Sequence, residues 1–328
     1  MTFEVNLDTV QWKEIRLKGK NKVIKEEFID MNSTLWKKGD LLIFRNATHQ
    51  YENVYLVYRL PEYKLIKKFG MKGNGPDELL FPIFTISNNN KNRIGTIYDE
   101  MNGNYFEVGN DFSLRKITSF PDLYKRFVMD VSFDSDSTAF YLGNASKDGN
   151  CIYRYNKLDN SQEKVIHDLT LLPGITFFYA YSGSYGVNTD RNRIVYAYKF
   201  FREVRLMDID GKLIRMLKGK DKNHAVTNNS RETWMDNPDR PYYYDYCCTT
   251  DQHFYLVYGN ERTLGENVRG TSSKESIIEQ YDWDGNPIRR IILDKICGKH
   301  LVVDEDENRI YINVHNEDDP LFIYDLPK

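Results

Sequence analysis

One short phrase recurs through the chain and constrains it more than any single motif. Asn92-Arg93-Ile94, Asn192-Arg193-Ile194 and Asn308-Arg309-Ile310 each follow a polar turn: Asn88-Asn89-Asn90-Lys91, Asn188-Thr189-Asp190-Arg191 and Asp304-Glu305-Asp306-Glu307. Polar turn residues leading into an apolar alternation read as a tight hairpin entering a half-buried strand. The copies lie 100 and 116 residues apart. If the repeating unit is about 50 residues, the size of a propeller blade, the phrase marks every second unit.

A second phrase fills the gaps. Met207-Asp208-Ile209-Asp210-Gly211, Tyr281-Asp282-Trp283-Asp284-Gly285 and the clipped Tyr324-Asp325-Leu326 each read as strand, acidic turn, strand. Asp-Gly between apolar runs is a strong hairpin signal, because glycine accepts positive φ without a steric cost. Leu60-Pro61-Glu62-Tyr63, Gly109-Asn110-Asp111-Phe112 and Asn156-Lys157-Leu158-Asp159 occupy the same position less ideally. Six hairpins predict an all-β, six-bladed β-propeller of four-stranded antiparallel blades, one domain over 1–328. The blades fall near 28–69, 83–118, 128–168, 184–217, 245–293 and 301–326. The last stops short of an outer strand, and Val10 to Leu17 alternates as Val-Gln-Trp-Lys-Glu-Ile-Arg-Leu. This N-terminal strand, 10–17, is expected to complete the last blade and close the ring, which removes two exposed sheet edges. Two packed β-sandwiches would space their turns similarly, but would not require a phrase running the whole chain. Short helical turns are expected around 121–124 and 230–234.

Composition agrees with β-structure and narrows the partners. Tyr 24, Phe 18 and 14% aromatic residues exceed ordinary usage and favour strands. A balance of 45 basic against 48 acidic residues, net -3, supplies no field to recruit nucleic acid. No apolar run approaches the roughly 20 residues that span a bilayer. Cys151, Cys247, Cys248 and Cys297 lack CxxC spacing and read as small buried hydrophobes. The N-terminus, Met1-Thr2-Phe3-Glu4-Val5, shows no basic region followed by an apolar one, so no signal peptide is read in it.

The end of the first blade, Phe69-Gly70-Met71-Lys72-Gly73-Asn74-Gly75-Pro76-Asp77-Glu78-Leu79-Leu80-Phe81-Pro82, resembles the FGxxGxGPxEF…P phrase of six-bladed TolB-like and NHL-type propellers. These are abundant in Bacteroidetes, where many are lipoproteins of the cell envelope. The resemblance implies the fold and an extracytoplasmic home, in the periplasm or on the outer membrane. By its own chemistry the phrase is a structural turn: Gly70, Gly73 and Gly75 permit a tight inter-blade crossing, Pro76 fixes its φ, and Asp77 or Glu78 can accept from freed amides. No Lys-Ser/Thr follows the glycines, so a phosphate cradle is not expected.

Catalytic signatures are missing. The histidines (His49, His167, His224, His253, His300 and His315) are dispersed, with no HxH or HExxH. The acidic clusters Asp134-Ser135-Asp136, Asp304 to Glu307 and Glu317-Asp318-Asp319 lack a calcium-loop pattern and read as solvated turns. Ser182-Gly183-Ser184-Tyr185-Gly186 has the wrong register for a nucleophile elbow. No cofactor or dedicated metal site is expected, although a propeller can gather a divalent metal in its channel from separate blades.

The long connections, 169–183, 219–244 and 258–276, nominate one face. Tyr179, Tyr181, Lys199, Arg202, His224, Trp234, Arg240 and Tyr243 are the candidate binding residues, because aromatics mixed with cations suit sugar faces or peptide side chains. Each has an alternative role as packing. The expected function is a monomeric, non-catalytic binding or scaffolding propeller that recognises a protein or carbohydrate. The alternative is a metal-dependent, lactonase-like hydrolase or lyase working at the channel mouth.

Overall fold

The computed structural model describes residues 3–27, 29, 33–46, 52–75, 77–86, 92–119, 130–133, 138–145, 149–156, 162–175, 177–222, 230–269, 275–314 and 317–327. Three N-terminal strands, β1 (Phe3–Asn6), β2 (Lys13–Leu17) and β3 (Lys20–Asn21), precede six antiparallel meanders. Blade 1 holds β4 (Thr34–Lys38), β5 (Leu41–Arg45), β6 (Asn53–Arg59) and β7 (Lys64–Met71). Blade 2 holds β8 (Pro82–Ile86), β9 (Arg93–Asp99), β10 (Asn104–Gly109) and β11 (Leu114–Ser119). Blade 3 holds β12 (Asp130–Phe133), β13 (Thr138–Ala145), β14 (Gly149–Asn156) and β15 (Gln162–Asp168). In blade 4 come β16 (Gly183–Asn188), β17 (Arg193–Tyr198), β18 (Glu203–Met207) and β19 (Leu213–Lys218). Blade 5 is built of β20 (Pro241–Thr249), β21 (His253–Thr263), β22 (Ser276–Asp282) and β23 (Pro287–Leu293), and blade 6 of β24 (Cys297–Asp304), β25 (Arg309–Val314) and β26 (Leu321–Asp325). The first strand of each blade is innermost, and these inner strands touch in sequence from β16 to β20, β24, β4, β8 and β12. The chain is an all-β, six-bladed propeller.

Ring closure differs in detail from the expected strand at 10–17. Lys13–Leu17 lies on blade 5, parallel to β23, with Ile15 opposite Ile291 and Leu17 opposite Leu293. Blade 6 is completed by only two residues, Lys20 and Asn21, antiparallel to β26. β1 adds in parallel to β19 of blade 4. The N-terminal segment is therefore a strap over the outer edges of three successive blades. Apolar burial accounts for the shift: Ile15 and Leu17 pack against the cluster between blades 5 and 6, and Val5, Val10 and Trp12 against the cluster between blades 4 and 5. Two residues, Lys18 and Gly19, then carry the chain to blade 6, where Lys22 N donates to Leu321 O at 2.8 Å.

The repeated phrases mark backbone conformations. Asn192 (φ 56) and Asn308 (φ 54) end the inner hairpins of blades 4 and 6 in the left-handed region, where asparagine is tolerated. In the outer hairpins Gly211 (φ 83) and Gly285 (φ 78) occupy that region, and Tyr63 (φ 60) and Phe112 (φ 64) stand at the matching turns of blades 1 and 2. In the glycine-rich crossing, Gly70 has φ 73 and Glu78 accepts from Gly75 N at 2.8 Å. A Cβ on Gly73 would lie 1.9 Å from the Glu78 carboxylate, so this crossing folds around that side chain. Pro76 lies outside the described residues.

Ser230 caps α1 (Arg231–Trp234) by accepting from Thr233 N at 3.2 Å. The expected turn at 121–124, the loop containing His224 and the cluster Asp134-Ser135-Asp136 lie outside the described residues. The turn at Asp304 to Glu307 is more than solvated: Asp304 pairs with a buried Lys37, while Glu305 accepts from Tyr255 Oη at 2.6 Å and meets His253 Nδ1 at 2.5 Å. It sits where blades pack together, so neighbouring side chains reach its carboxylates. Cys151, Cys247 and Cys297 are buried, Cys248 is partly so, and all four are free thiols. Among the described residues, no helix is long and apolar enough to cross a membrane.

Candidate functional site

In a four-stranded meander, the connections from second to third strand and from outer strand to the next blade leave on the same face. Residues 169–175, 177–182, 199–202, 219–222, 230–240, 264–269 and 275 therefore share one face of the ring. They are tied to one another by backbone groups. Tyr243 N donates to Lys199 O at 2.8 Å, Leu264 N to Arg240 O at 2.9 Å and Gly265 N to Pro238 O at 2.8 Å. Arg202 N donates to Asp221 Oδ2 at 3.0 Å.

Of the residues nominated from sequence, most form the floor of this face. Trp234 (0% exposed), Tyr181 (0%), Tyr243 (0%), Arg240 (3%) and Arg202 (4%) are buried. Trp234 packs on Phe200 and Phe201, and the Arg240 guanidinium stacks over its ring at 4.0 Å while Nε donates to Thr233 O at 2.6 Å. Burial pushes the Arg240 pKa down to about 10, against the opposing pull of Asp221. Tyr181 Oη lies 3.0 Å from both Leu172 O and Ile175 O, and Tyr243 Oη accepts from Lys222 N at 3.1 Å. These aromatics continue the core between blades 3 and 4 into the described loop residues, which close packing holds as a platform. Tyr179 and Lys199 are the two nominees left partly open.

Arg202 heads a charged network beneath the platform. Glu279 is fully buried and receives Arg202 Nη2 at 2.8 Å, Arg290 Nη2 at 2.8 Å and Tyr281 Oη at 2.7 Å. The Arg202 guanidinium also lies 3.8 Å from the centroid of Tyr258, and Arg290 lies 4.6 Å from that of Trp12 on the strap. Burial alone would raise the Glu279 pKa, but Arg202, Arg290 and the Tyr281 hydroxyl outweigh it and hold the carboxyl below its ordinary value. The network joins blade 4, blade 5 and the strap, and its partners are satisfied internally.

The channel mouth beside it contains residues that the sequence did not single out. β20 has two register shifts, between Tyr242 and Tyr244 and between Tyr244 and Cys247. Tyr243 and Tyr244 both pack toward blade 4, whereas Tyr246 and Cys248 pack toward blade 6, so the period-two alternation is broken. Bulges of this kind re-aim side chains. Asp245, within the irregular stretch, comes 3.9 Å from Lys199 Nζ, which also lies 5.5 Å from the Tyr242 ring and 6.0 Å from the Tyr179 ring. Tyr246 meets the His300 ring at 4.4 Å, and His300 meets Trp36 at 6.1 Å, continuing the mouth across the inner strands of blades 6 and 1. The one signal in sequence is the run Tyr242-Tyr243-Tyr244-Asp245-Tyr246, which no regular strand with one wet face accommodates. Among the described residues, no group of three His, Cys, Asp or Glu side chains is arranged to hold a metal ion.

Comparison with known proteins places this architecture. Solved structures of similar fold include a member of the DUF4221 family from Bacteroides vulgatus, with 12% identity, TM-score 0.66 and coverage of 94% of this chain and 97% of that one. A Bacteroides fragilis protein provisionally described as exported is similar at 14% identity and TM-score 0.61, covering 100% and 99%. A calcium-binding protein, regucalcin, from Agrobacterium tumefaciens matches at 12% identity and TM-score 0.50, with 94% of each chain covered. At these identities the likeness is one of fold. No curated protein sequence matches this chain. The family model described as TolB-like 6-blade propeller-like matches residues 11–306, and the chain belongs to that family of six-bladed propellers.

Proposed function

We propose that this chain is a monomeric, non-catalytic binding propeller of the bacterial cell envelope, which recognises a protein or glycan partner at the loop-rich mouth of blades 4 and 5. The observation that carries this reading is the contrast between a buried aromatic floor and the partly open trio on it. Tyr179, Lys199 and Asp245 offer a flat ring, a cation and an anion within a few ångströms of one another. A packed aromatic floor of this kind holds the trio in place before a ligand arrives, which keeps the entropic cost low. The fold likeness to the Bacteroides fragilis protein supports the location outside the cytoplasm.

The test is binding of the purified chain to glycan and peptide arrays, repeated with Lys199→Ala and Tyr179→Ala. Both side chains stand partly open, so the variants should fold normally and lose at least about tenfold in affinity, the scale of a truncated interface contact. Metal-dependent turnover of a lactone or ester by the purified protein, abolished by a chelator, would overturn this reading in favour of an enzyme.

A further inference from the structure

Seven large apolar side chains stand exposed among the described residues, and three of them gather at one corner. Met71 (56% exposed), Phe81 (52%) and Met101 (59%) lie on the loop-rich face, where blade 1 passes the chain to blade 2. Their backbones are tied to one another: Leu79 N donates to Met71 O at 2.9 Å, and Glu100 N donates to Phe81 O at 3.1 Å. Asp99 is fully buried and fixes both loops by accepting from Phe81 N at 2.9 Å, Leu80 N at 3.2 Å and Asn102 Nδ2 at 2.9 Å. The three side chains thus stand in water on backbone that is already ordered. Phe3, Val165 and Ile288, by contrast, are each exposed on a different blade. A lone exposed apolar residue is ordinary, whereas a cluster with a polar rim marks an interaction surface. Here the rim is acidic. Glu52 and Asp77 are exposed, Glu100 is half-buried beside Asp99, and Lys72 is the one basic residue in the crossing. On β7, Lys68 is engaged by Glu27 and Lys67 acts on Asp111. Burial, and then the Asp99 charge, raise the Glu100 pKa against the pull of Arg45, so a further cation beside this carboxyl would stabilise its charged form.

We infer that this corner docks a basic, apolar segment of a partner protein, with apolar side chains seated on Met71, Phe81 and Met101 and lysines or arginines set against Glu52, Asp77 and Glu100. The surface is separate from the mouth of blades 4 and 5 and does not depend on the reading given for it. Phe81 offers a stiff aromatic anchor, and the two flexible thioethers beside it adapt to the shape of what they meet. Charge decides among the possible occupants. A second copy meeting this patch through a two-fold axis would set carboxylates against carboxylates, and an anionic lipid surface would meet the same repulsion. A basic segment finds the complementary sign around an apolar centre.

Titration of the full chain with an amphipathic leucine-lysine peptide, its leucine-glutamate counterpart and phosphatidylglycerol vesicles tests the inference, with sedimentation to read self-association. The leucine-lysine peptide should bind, its acidic counterpart should not, and added salt should weaken the complex. Basic peptides adhere to many acidic surfaces, so the location of binding decides. Phe81→Ser and Met101→Ser, both at exposed positions, should fold and should each lose at least about tenfold in affinity. Val165→Ser on blade 3 and Lys199→Ala at the other mouth should leave the affinity unchanged, which keeps the two surfaces distinguishable. Glu100→Gln should weaken binding and flatten its dependence on salt. Affinity that survives both Phe81→Ser and Met101→Ser would overturn the docking corner, as would the absence of binding. Equal binding of the acidic peptide would overturn the part given to the carboxylates. Vesicle binding, or a dimer, abolished by Phe81→Ser would overturn the partner in favour of a lipid surface or a second copy.

Discussion

The two halves of the ring are finished differently. Blades 4, 5 and 6 have their outer edges covered by β1, β2 and β3 in turn, whereas among the described residues nothing pairs beyond β7, β11 and β15 of blades 1 to 3. Two of these unpaired edges, β7 and β11, carry exposed charge instead. β7 exposes Lys64, Lys67 and Lys68, and β11 exposes Arg115 and Lys116, and such side chains discourage strand addition by another molecule. The covered half also carries the fully buried Glu279 network and the aromatic platform under the candidate site. The strap thus does more than close a ring: it braces the half that holds the long loops. At the outer hairpins alone, Tyr63 and Phe112 take left-handed positions in blades 1 and 2 where blades 4 and 5 use glycine.

The sharpest way to break the comparison is to unpair the network in the braced half. Glu279→Ala leaves Arg202 buried without its carboxylate and should cost about 3–5 kcal/mol, read as a shift in the denaturation midpoint. Glu107→Ala in blade 2 strips a carboxylate from Arg93 and Arg115, but Glu107 is partly exposed and Arg115 is mostly in water. Its loss should be clearly smaller. Equal losses would mean that the network adds nothing to the braced half.

Much of this architecture is written locally and was legible for that reason. Hairpin chemistry at Asp208 to Gly211 and Asp282 to Gly285 requires only four consecutive residues, so the number of blades follows from sequence. The site is less legible, because burial in a propeller is decided between blades. Nothing near Arg202 in sequence indicates that Glu279 will meet it, and nothing near Trp234 indicates that Arg240, Phe200 and Phe201 will enclose it. The strap shows the same limit: the alternation at 10–17 announces a strand but not which edge it takes. Only the apolar partners Ile291 and Leu293 decide that.

A second comparison uses the outer hairpins. A Cβ on Gly211 would meet the backbone oxygen of Ile166, in blade 3, at 1.9 Å. Left-handed backbone alone costs roughly 1–2 kcal/mol for a residue with a Cβ, so Gly211→Ala should lose about 2 kcal/mol or more. At Gly285 the nearest atom is Arg215 Cδ at 2.9 Å, the movable stem of a long side chain. Gly285→Ala should therefore show the backbone cost and little else. Denaturation of the two variants in parallel separates strain from collision.

The strap itself can be tested at Trp12, which meets Tyr281 edge-on at 5.6 Å and lies under the Arg290 guanidinium. It is half-buried, so Trp12→Ala should cost about 1–2 kcal/mol, well under the value for a full core aromatic. Hydrogen exchange should locate the effect. Amides of β2 and β23 should open while those of β7 and β11 keep their protection, and a uniform change around the ring would refute a strap that braces one half.

The smallest effect lies at the seam between the halves. His167, on the bare edge of blade 3, reaches into blade 4: its Nδ1 is 3.0 Å from Gly211 O and its Nε2 is 3.0 Å from Arg205 Nη1. Arginine can only donate, so Nε2 is the acceptor, Nδ1 carries the proton and the ring is neutral. Burial first, and then the Arg205 charge, hold the His167 pKa below its ordinary 6.5. Well above pH 6.5 the folded and unfolded chains both hold this ring neutral, and it contributes no pH dependence. As pH falls below 6.5 the unfolded chain takes up a proton that the folded chain refuses, so stability declines until the folded-state pKa is reached. His167→Gln, whose amide can donate to Gly211 O and accept from Arg205, should fold and should flatten the decline between pH 6.5 and 5.5, as read from denaturation midpoints. The decline from the depressed carboxyl of Glu305, by contrast, begins only as pH falls into the ordinary glutamate range, so the two groups separate along the pH axis. A variant that keeps the slope of the parent would show that blade 3 and blade 4 are not coupled through this imidazole.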